Sequence, residues 1–271
     1  MPIAPAVASA PPPAEPAPFR ASVGRGAELY LPPSFVAKNG KYDLIVHFHG
    51  EGRWQEENLA HAKLDVAVVS INLGMGTEPY AKAFKTGDAL EHLLATTQAE
   101  IVKTGRATEL GRLALSAWSA GFSSVAAVLN DTTAARVDAI LLADGFFTNF
   151  TDTKKRTVND AGLIRFVRFA EKAKKDEKLF AITHSSIPTG PYPSVQECTS
   201  RLLELVSLPK TSTTGLGPLA MRGTYIVDQG SFHVRGFEGV TAGDHVKELH
   251  AMGETIYPYL KARWAKEDAA H

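Results

Sequence analysis

Short apolar runs interleaved with helix-like stretches limit what this chain can fold into. "YDLIVHFHG" (42–50), "VAVVSINL" (66–73), "RLALSAW" (112–118), "VDAILLADG" (137–145), "KLFAITHSS" (178–186) and "GTYIVDQG" (223–230) are rich in Val, Ile and Leu at consecutive positions. A strand apolar on both faces needs cover on both faces. "GAELYLP" (26–32) reads as an edge strand stopped by Pro32 and Pro33. Helical patterns fill most of the gaps: "TGDALEHLLATTQAEIVKTG" with Thr86 as its cap, "SSVAAVLND", "NDAGLIRFVRFAEKAKKD", "SVQECTSRLLELVS" and the closing "GDHVKELHAMGETIYPYLKARW". Alternation of this kind predicts an α/β fold, a mostly parallel sheet with helices on both faces. In such sheets ligands bind beyond the carboxyl ends of the strands. Polar residues at those ends are the ones to question.

Composition narrows the class. With 271 residues, 44% of them hydrophobic, the chain can bury a sizeable core. Lys plus Arg and Asp plus Glu number 29 each, so nothing predicts a general affinity for nucleic acid or anionic membranes. No apolar stretch approaches the roughly 20 residues of a membrane span, which predicts no integral membrane association. A single cysteine, Cys198, permits no intrachain disulfide and no cysteine metal cluster. Residues 1–20, rich in Ala and Pro, read as a flexible tail, and residues 21–271 as one domain. The compartment stays open: secreted or periplasmic if a leader was removed, otherwise cytoplasmic. Oligomeric state leaves no mark in the sequence.

One strand-to-helix junction carries a serine where a plain turn would use Gly, Asn or Asp. In Ala117-Trp118-Ser119-Ala120-Gly121 the small neighbours allow a tight turn with the hydroxyl at its tip. The motif resembles the nucleophile elbow of the α/β-hydrolase superfamily, with Ala117 in place of the first glycine of G-x-S-x-G. The resemblance spans the chain from about residue 27 to about residue 264 and implies the α/β-hydrolase fold, with triad members in the order Ser, acid, His.

Under that resemblance Ser119 is the nucleophile. His245, in "AGDHVKELHAM" at the mouth of the closing helix, is the favoured base, with His233 in "GSFHVRGF" as its competitor. The acid is Asp144, in "LLADGFF" at the end of the strand after the nucleophile strand, with Asp228 after "YIV" second. Most superfamily members take the acid one strand later, where this chain has "ITHSSIP". The oxyanion donors implied are the N–H of Ala120 and that of Gly50 or Glu51, since His49-Gly50 in "VHFHGEGRW" looks like the His-Gly signature of lipases and esterases. Trp118, Tyr80, His49 and His184 are candidate walls of the substrate site.

The implied activity is hydrolysis of a carboxylic ester or thioester, small or polymeric, through an acyl-enzyme, with no cofactor and no metal. An acyltransferase would share the intermediate. Two other classes stay open. His47 and His49 at a strand end, with His184, His233 and Asp228, offer ligands for a metal-dependent hydrolase, although the eight repeats of a barrel are missing. A non-catalytic α/β-hydrolase-fold binding protein is the third.

Overall fold

The structure, a computed structural model, describes residues 17–270. The tail assigned to residues 1–20 therefore lies mostly outside the described residues, but its last two positions, Phe19 and Arg20, open a strand. Strands are β1 (Phe19–Gly24), β2 (Ala27–Leu31), β3 (Lys41–Phe48), β4 (Ala67–Ile71), β5 (Glu109–Trp118), β6 (Ala139–Ala143), β7 (Phe150–Asp152), β8 (Thr157–Val158), β9 (Leu179–His184), β10 (Thr211–Ser212), β11 (Gly223–Gln229) and β12 (Phe232–Phe237). Helices are α1 (Gly52–Ala62), α2 (Glu78–Ala83), α3 (Ala89–Lys103), α4 (Phe122–Val128), α5 (Asp131–Arg136), α6 (Asp160–Ala173), α7 (Val195–Leu205), α8 (Ala242–His250), α9 (Met252–Thr255) and α10 (Tyr257–Ala269).

Ten strands form one sheet in the order β1-β2-β4-β3-β5-β6-β9-β12-β11-β10. The six from β4 to β12 pair in parallel, and antiparallel strands finish both edges. Every residue of β4, β6 and β9 is buried, as strands covered on both faces must be. One face packs on α3, α4, α6 and α7 around Leu44, Leu115, Phe166, Phe180 and Leu202. The other packs on α1, α9 and α10 around Ile45, Ala114, Met252, Tyr257 and Trp264.

Local sequence explains the helix ends that matter. In α6 the buried positions Leu163, Phe166, Phe169, Ala170 and Ala173 recur at helical spacing. Asn159 caps its first turn. Reciprocal capping boxes, Ser194 with Glu197 and Thr241 with Asp244, start α7 and α8. The second of these fixes the first turn of the helix that carries His245. Helix α3 starts at Ala89 with Asp88 as its cap residue, two positions after the expected Thr86. Strand β12 lies in a stretch that had been considered only as the source of His233, and its pairing with β9 completes the parallel part of the sheet. No helix among the described residues is long and apolar enough to cross a membrane.

Candidate active site

At the carboxyl end of β5, the central strand between β3 and β6, extended backbone at Trp118 (φ −115°, ψ 141°) gives way at once to a left-handed Ser119 with φ +50°. A tight turn over Ser119–Gly121 then runs straight into α4. A non-glycine residue held in that region costs about 1–3 kcal/mol, so surrounding structure has to impose it. Close packing does so. A Cβ on Gly121 would stand 2.0 Å from the Phe48 carbonyl oxygen, and one on Gly145 would stand 2.7 Å from both the nitrogen and the oxygen of Ser119. Small residues around the serine are thus required by the backbones crossing it. Below the turn, Phe122 packs edge-on against Phe146 with ring centroids 5.4 Å apart, and Phe166 closes the trio at 5.2 Å from each. Phe122 follows the serine turn and Phe146 follows Asp144-Gly145, so one aromatic cluster braces both.

Asp144 also has a left-handed backbone, with φ +42°, and its side chain is 4% exposed. Its carboxylate accepts three hydrogen bonds: Oδ1 from the Ser185 amide (3.1 Å), and Oδ2 from the Ser185 hydroxyl and from His245 Nδ1 (both 2.7 Å). The bond from Nδ1 fixes the tautomer of His245 and leaves the lone pair on Nε2. The Ser119 hydroxyl makes no hydrogen bond among the described residues.

Trp118 packs between two histidines. Its indole is sandwiched between the imidazoles of His49 (4.9 Å between centroids, 9° between planes) and His245 (4.7 Å, 30°), and its Nε1 donates to the His245 carbonyl at 3.0 Å. It ties α8 to the strand that bears the serine.

Behind it, His49 is 7% exposed, with its Nδ1 2.7 Å from the Tyr80 hydroxyl. Tyr80 is fully buried in α2, where it receives the Leu73 amide (2.9 Å) and donates to the Gly74 carbonyl (3.1 Å). Substrate contact through Tyr80 is therefore corrected: it holds His49 and the 72–74 loop from beneath. The glycines of that loop make the chain look exposed, whereas Tyr80 and Phe84, four residues apart, both turn inward. His184 is likewise corrected. It is fully buried, with Nδ1 donating to the Ser185 carbonyl (2.7 Å) and Nε2 accepting from the Tyr225 hydroxyl (2.6 Å), so it is no wall of an open site. It steadies Ser185, the unforeseen residue that grips Asp144.

The loop after β3 supplies backbone. His49 and Gly50 take φ of +75° and +105°, and a Cβ on Gly50 would press on Leu249 of α8 at 3.2 Å. The amides of Gly50 and Glu51 donate to no protein acceptor among the described residues, and Glu51 is the cap residue of α1, whose first amides are free of intrahelical partners. The Glu51 side chain turns out to Arg53 Nε at 3.1 Å. The amide of Ala120 stands at the start of its own turn, on the far side of Ser119 in sequence.

The rival sets come apart. His233 donates from Nδ1 to Asp228 Oδ1 at 2.6 Å, stacks on Tyr259 at 3.9 Å, and pairs in β12 with Ala181, two residues short of the row holding Trp118. Asp228 also takes both Oδ contacts from Arg235. Neither residue joins Ser119. His47 is fully buried, with Nε2 donating to the His49 carbonyl (2.8 Å) and Nδ1 accepting from Ser116 Oγ (2.9 Å), and burial pushes its pKa down to about 3. Burial, and then the neighbouring His245, also lower the pKa of His49. No three His, Cys, Asp or Glu side chains among the described residues converge on a point that could hold a metal.

No protein-family model and no curated protein matches the sequence. Solved structures do match in shape. A Ser-to-Ala variant of the feruloyl esterase module from Clostridium thermocellum, complexed with sinapinate, is 13% identical with a TM-score of 0.51, covering 92% of this chain and 89% of that one. Enterochelin esterase from Shigella flexneri is 13% identical with a TM-score of 0.50, covering 90% of this chain and 58% of that one. The parallel sheet covered on both faces and these two likenesses together show that the chain has the α/β-hydrolase fold.

Proposed function

We propose that this chain is a serine hydrolase cleaving a carboxylic ester or thioester through an acyl-enzyme, with residues 21–271 as one catalytic domain. The observation that carries the reading is the joint placement of a strained Ser119 (φ +50°) and a His245 held by Asp144 at 2.7 Å, at one end of the sheet. Two neighbours that share only the fold and 13% identity bear the names of esterases, which agrees with the reading.

The roles follow from the atoms. Ser119 Oγ attacks the acyl carbon while its proton passes to Nε2 of His245, and Asp144 stabilises the imidazolium. The amides of Ala120 and of Gly50 or Glu51 receive the negative oxygen. Collapse breaks the acyl–oxygen or acyl–sulfur bond, and His245 returns the proton to the leaving group. Water, activated by the same Nε2, then releases the acid and restores the serine. The sequence needs no cofactor. An alcohol replacing that water would make the chain an acyltransferase.

Hydrolysis of p-nitrophenyl acetate and butyrate, with intact mass taken during turnover, tests the proposal. Wild type is expected to cleave at least one ester and to carry one acyl group. Ser119→Ala is expected to carry none and to lose at least about a thousandfold in kcat/KM. Equal rates for the two proteins would overturn it and leave a binding role for the fold.

A further inference from the structure

The proposed chemistry leaves Glu248 without a task. It lies on α8 one helical turn beyond His245, is fully buried, and neither of its carboxyl oxygens has a hydrogen-bond partner among the described residues. An ionised carboxylate without partners is expensive to bury. Burial accordingly raises the pKa of Glu248 well above the carboxylate range, the nearby Asp144 raises it further, and the Thr183 hydroxyl opposes the shift. That hydroxyl is itself buried with no partner inside hydrogen-bond limits.

Asp144 differs in each respect, because it accepts three hydrogen bonds. Two carboxyl groups therefore share one buried region, one supplied with donors and the other without. Like charges so placed do not both ionise readily. The groups that meet Glu248 from its surroundings are few in kind. The end of β6 contributes Asp144 and β9 contributes Thr183; His184, next along β9, is tied at both nitrogens to Ser185 and Tyr225. On its own helix His245 lies three residues earlier, and α1 sends Asn58 to the Leu249 carbonyl at 2.9 Å. Lys210 lies over the Tyr225 ring at 4.5 Å.

We propose that Glu248 is a positioning residue of this site: a neutral acid that leaves Asp144 alone to carry the charge facing His245, and that takes over that charge when Asp144 is made neutral. The kinetic half of the inference rests on the serine-hydrolase reading; the protonation of Glu248 does not. In Asp144→Asn the repulsion vanishes, and the imidazolium formed during attack favours a negative charge one turn away. Glu248 then gives its proton to solvent, and its carboxylate supports His245 through space.

Two measurements test this. Infrared difference spectra of wild type against Glu248→Gln at neutral pH are expected to show the C=O stretch of a protonated carboxylic acid in wild type, lost in the variant. Absence of that band from wild type overturns the proposal. The second measurement is the rate of fluorophosphonate labelling against pH for wild type, E248Q, D144N and the double variant D144N/E248Q. E248Q is expected to keep the position of the wild-type acid limb, since loss of packing alters the height of a profile and not its midpoints. D144N is expected to gain a limb rising with pH that the double variant lacks, separating the two by at least about tenfold at the alkaline end. Coincident profiles for those two, or a displaced acid limb in E248Q, contradict the proposal. Wild type that never labels would instead defeat the serine-hydrolase reading, with the infrared band still deciding the state of Glu248.

Discussion

Among the described residues two His–Asp pairs have nearly equal geometry, His245–Asp144 at 2.7 Å and His233–Asp228 at 2.6 Å, and only the first stands at the strand ends where Ser119 lies. Their surroundings differ more than their bond lengths. Asp144 is 4% exposed, accepts from two groups of Ser185 and pairs with no Lys or Arg among the described residues, so His245 is its charged partner when protonated. Asp228 is 43% exposed and already answers Arg235 through both oxygens, while its histidine is clamped flat on Tyr259. A histidine joined to a carboxylate is thus a common structural unit. It becomes a candidate for catalysis where it shares one end of the sheet with a strained serine and free amides.

That contrast can be broken by exchanging substitutions between the pairs. The largest effect is expected for His245→Ala, which should lower kcat/KM by about 10³–10⁴-fold, because the serine then lacks a base. His233→Ala should leave kcat/KM within about threefold of wild type while lowering stability through loss of the stacked ring. Comparable losses in both variants would erase the distinction. Next comes Asp144→Asn, expected to cost about 10²–10⁴-fold in kcat at neutral pH by removing the group that fixes the tautomer. Asp228→Asn should change stability by about 1 kcal/mol or less, as a half-exposed ion pair would, with ester hydrolysis unchanged in the same assay.

The smallest effect concerns the buried histidine beneath the loop that follows β3. Burial lowers the pKa of His47 from the ordinary histidine value of 6.5 to about 3. The unfolded chain therefore takes up a proton near pH 6.5 that the folded chain refuses until near pH 3. Stability from this group is fully present above pH 6.5 and declines as the pH falls toward 3. Denaturant titrations between those limits should show wild type losing stability on acidification, on the order of 1 kcal/mol per pH unit from this residue. His47→Gln should flatten that slope. Parallel slopes would remove His47 from the acid response.

Much of this arrangement was legible before any coordinates. The consecutive apolar residues of β3, β4, β6 and β9 could be satisfied only between two layers of helices, so the sheet and its parallel sense followed. Small residues flanking Ser119 announced a tight strand-to-helix turn, because the backbone crossing Gly121 admits nothing larger. The place of Asp144 at the end of β6, beside the end of β5, was legible from the strand order. Packing partners were harder to read. The Phe122, Phe146 and Phe166 cluster joins three separate segments, and no local pattern announces such a meeting. Strand β12 escaped because His233, Arg235 and Gly236 interrupt its apolar run, although partners in β9 and β11 satisfy its backbone. Tyr80 and His184 looked like exposed polar lining because they lie near loop glycines and strand ends, yet tertiary contacts bury both. Ser185 could have been found by asking which donors an acid at the end of β6 would need from the neighbouring strand. Glu248 carries no local signal, since a glutamate on a charged amphipathic helix normally faces water.

The central claim is that Ser119 is an activated nucleophile, and covalent labelling tests it most directly. Wild type and Ser119→Ala would be incubated with a fluorophosphonate and their intact masses measured. The account predicts a single adduct on wild type, mapped to Ser119, and none on the variant. An unlabelled wild type, or equal labelling of both proteins, would contradict it.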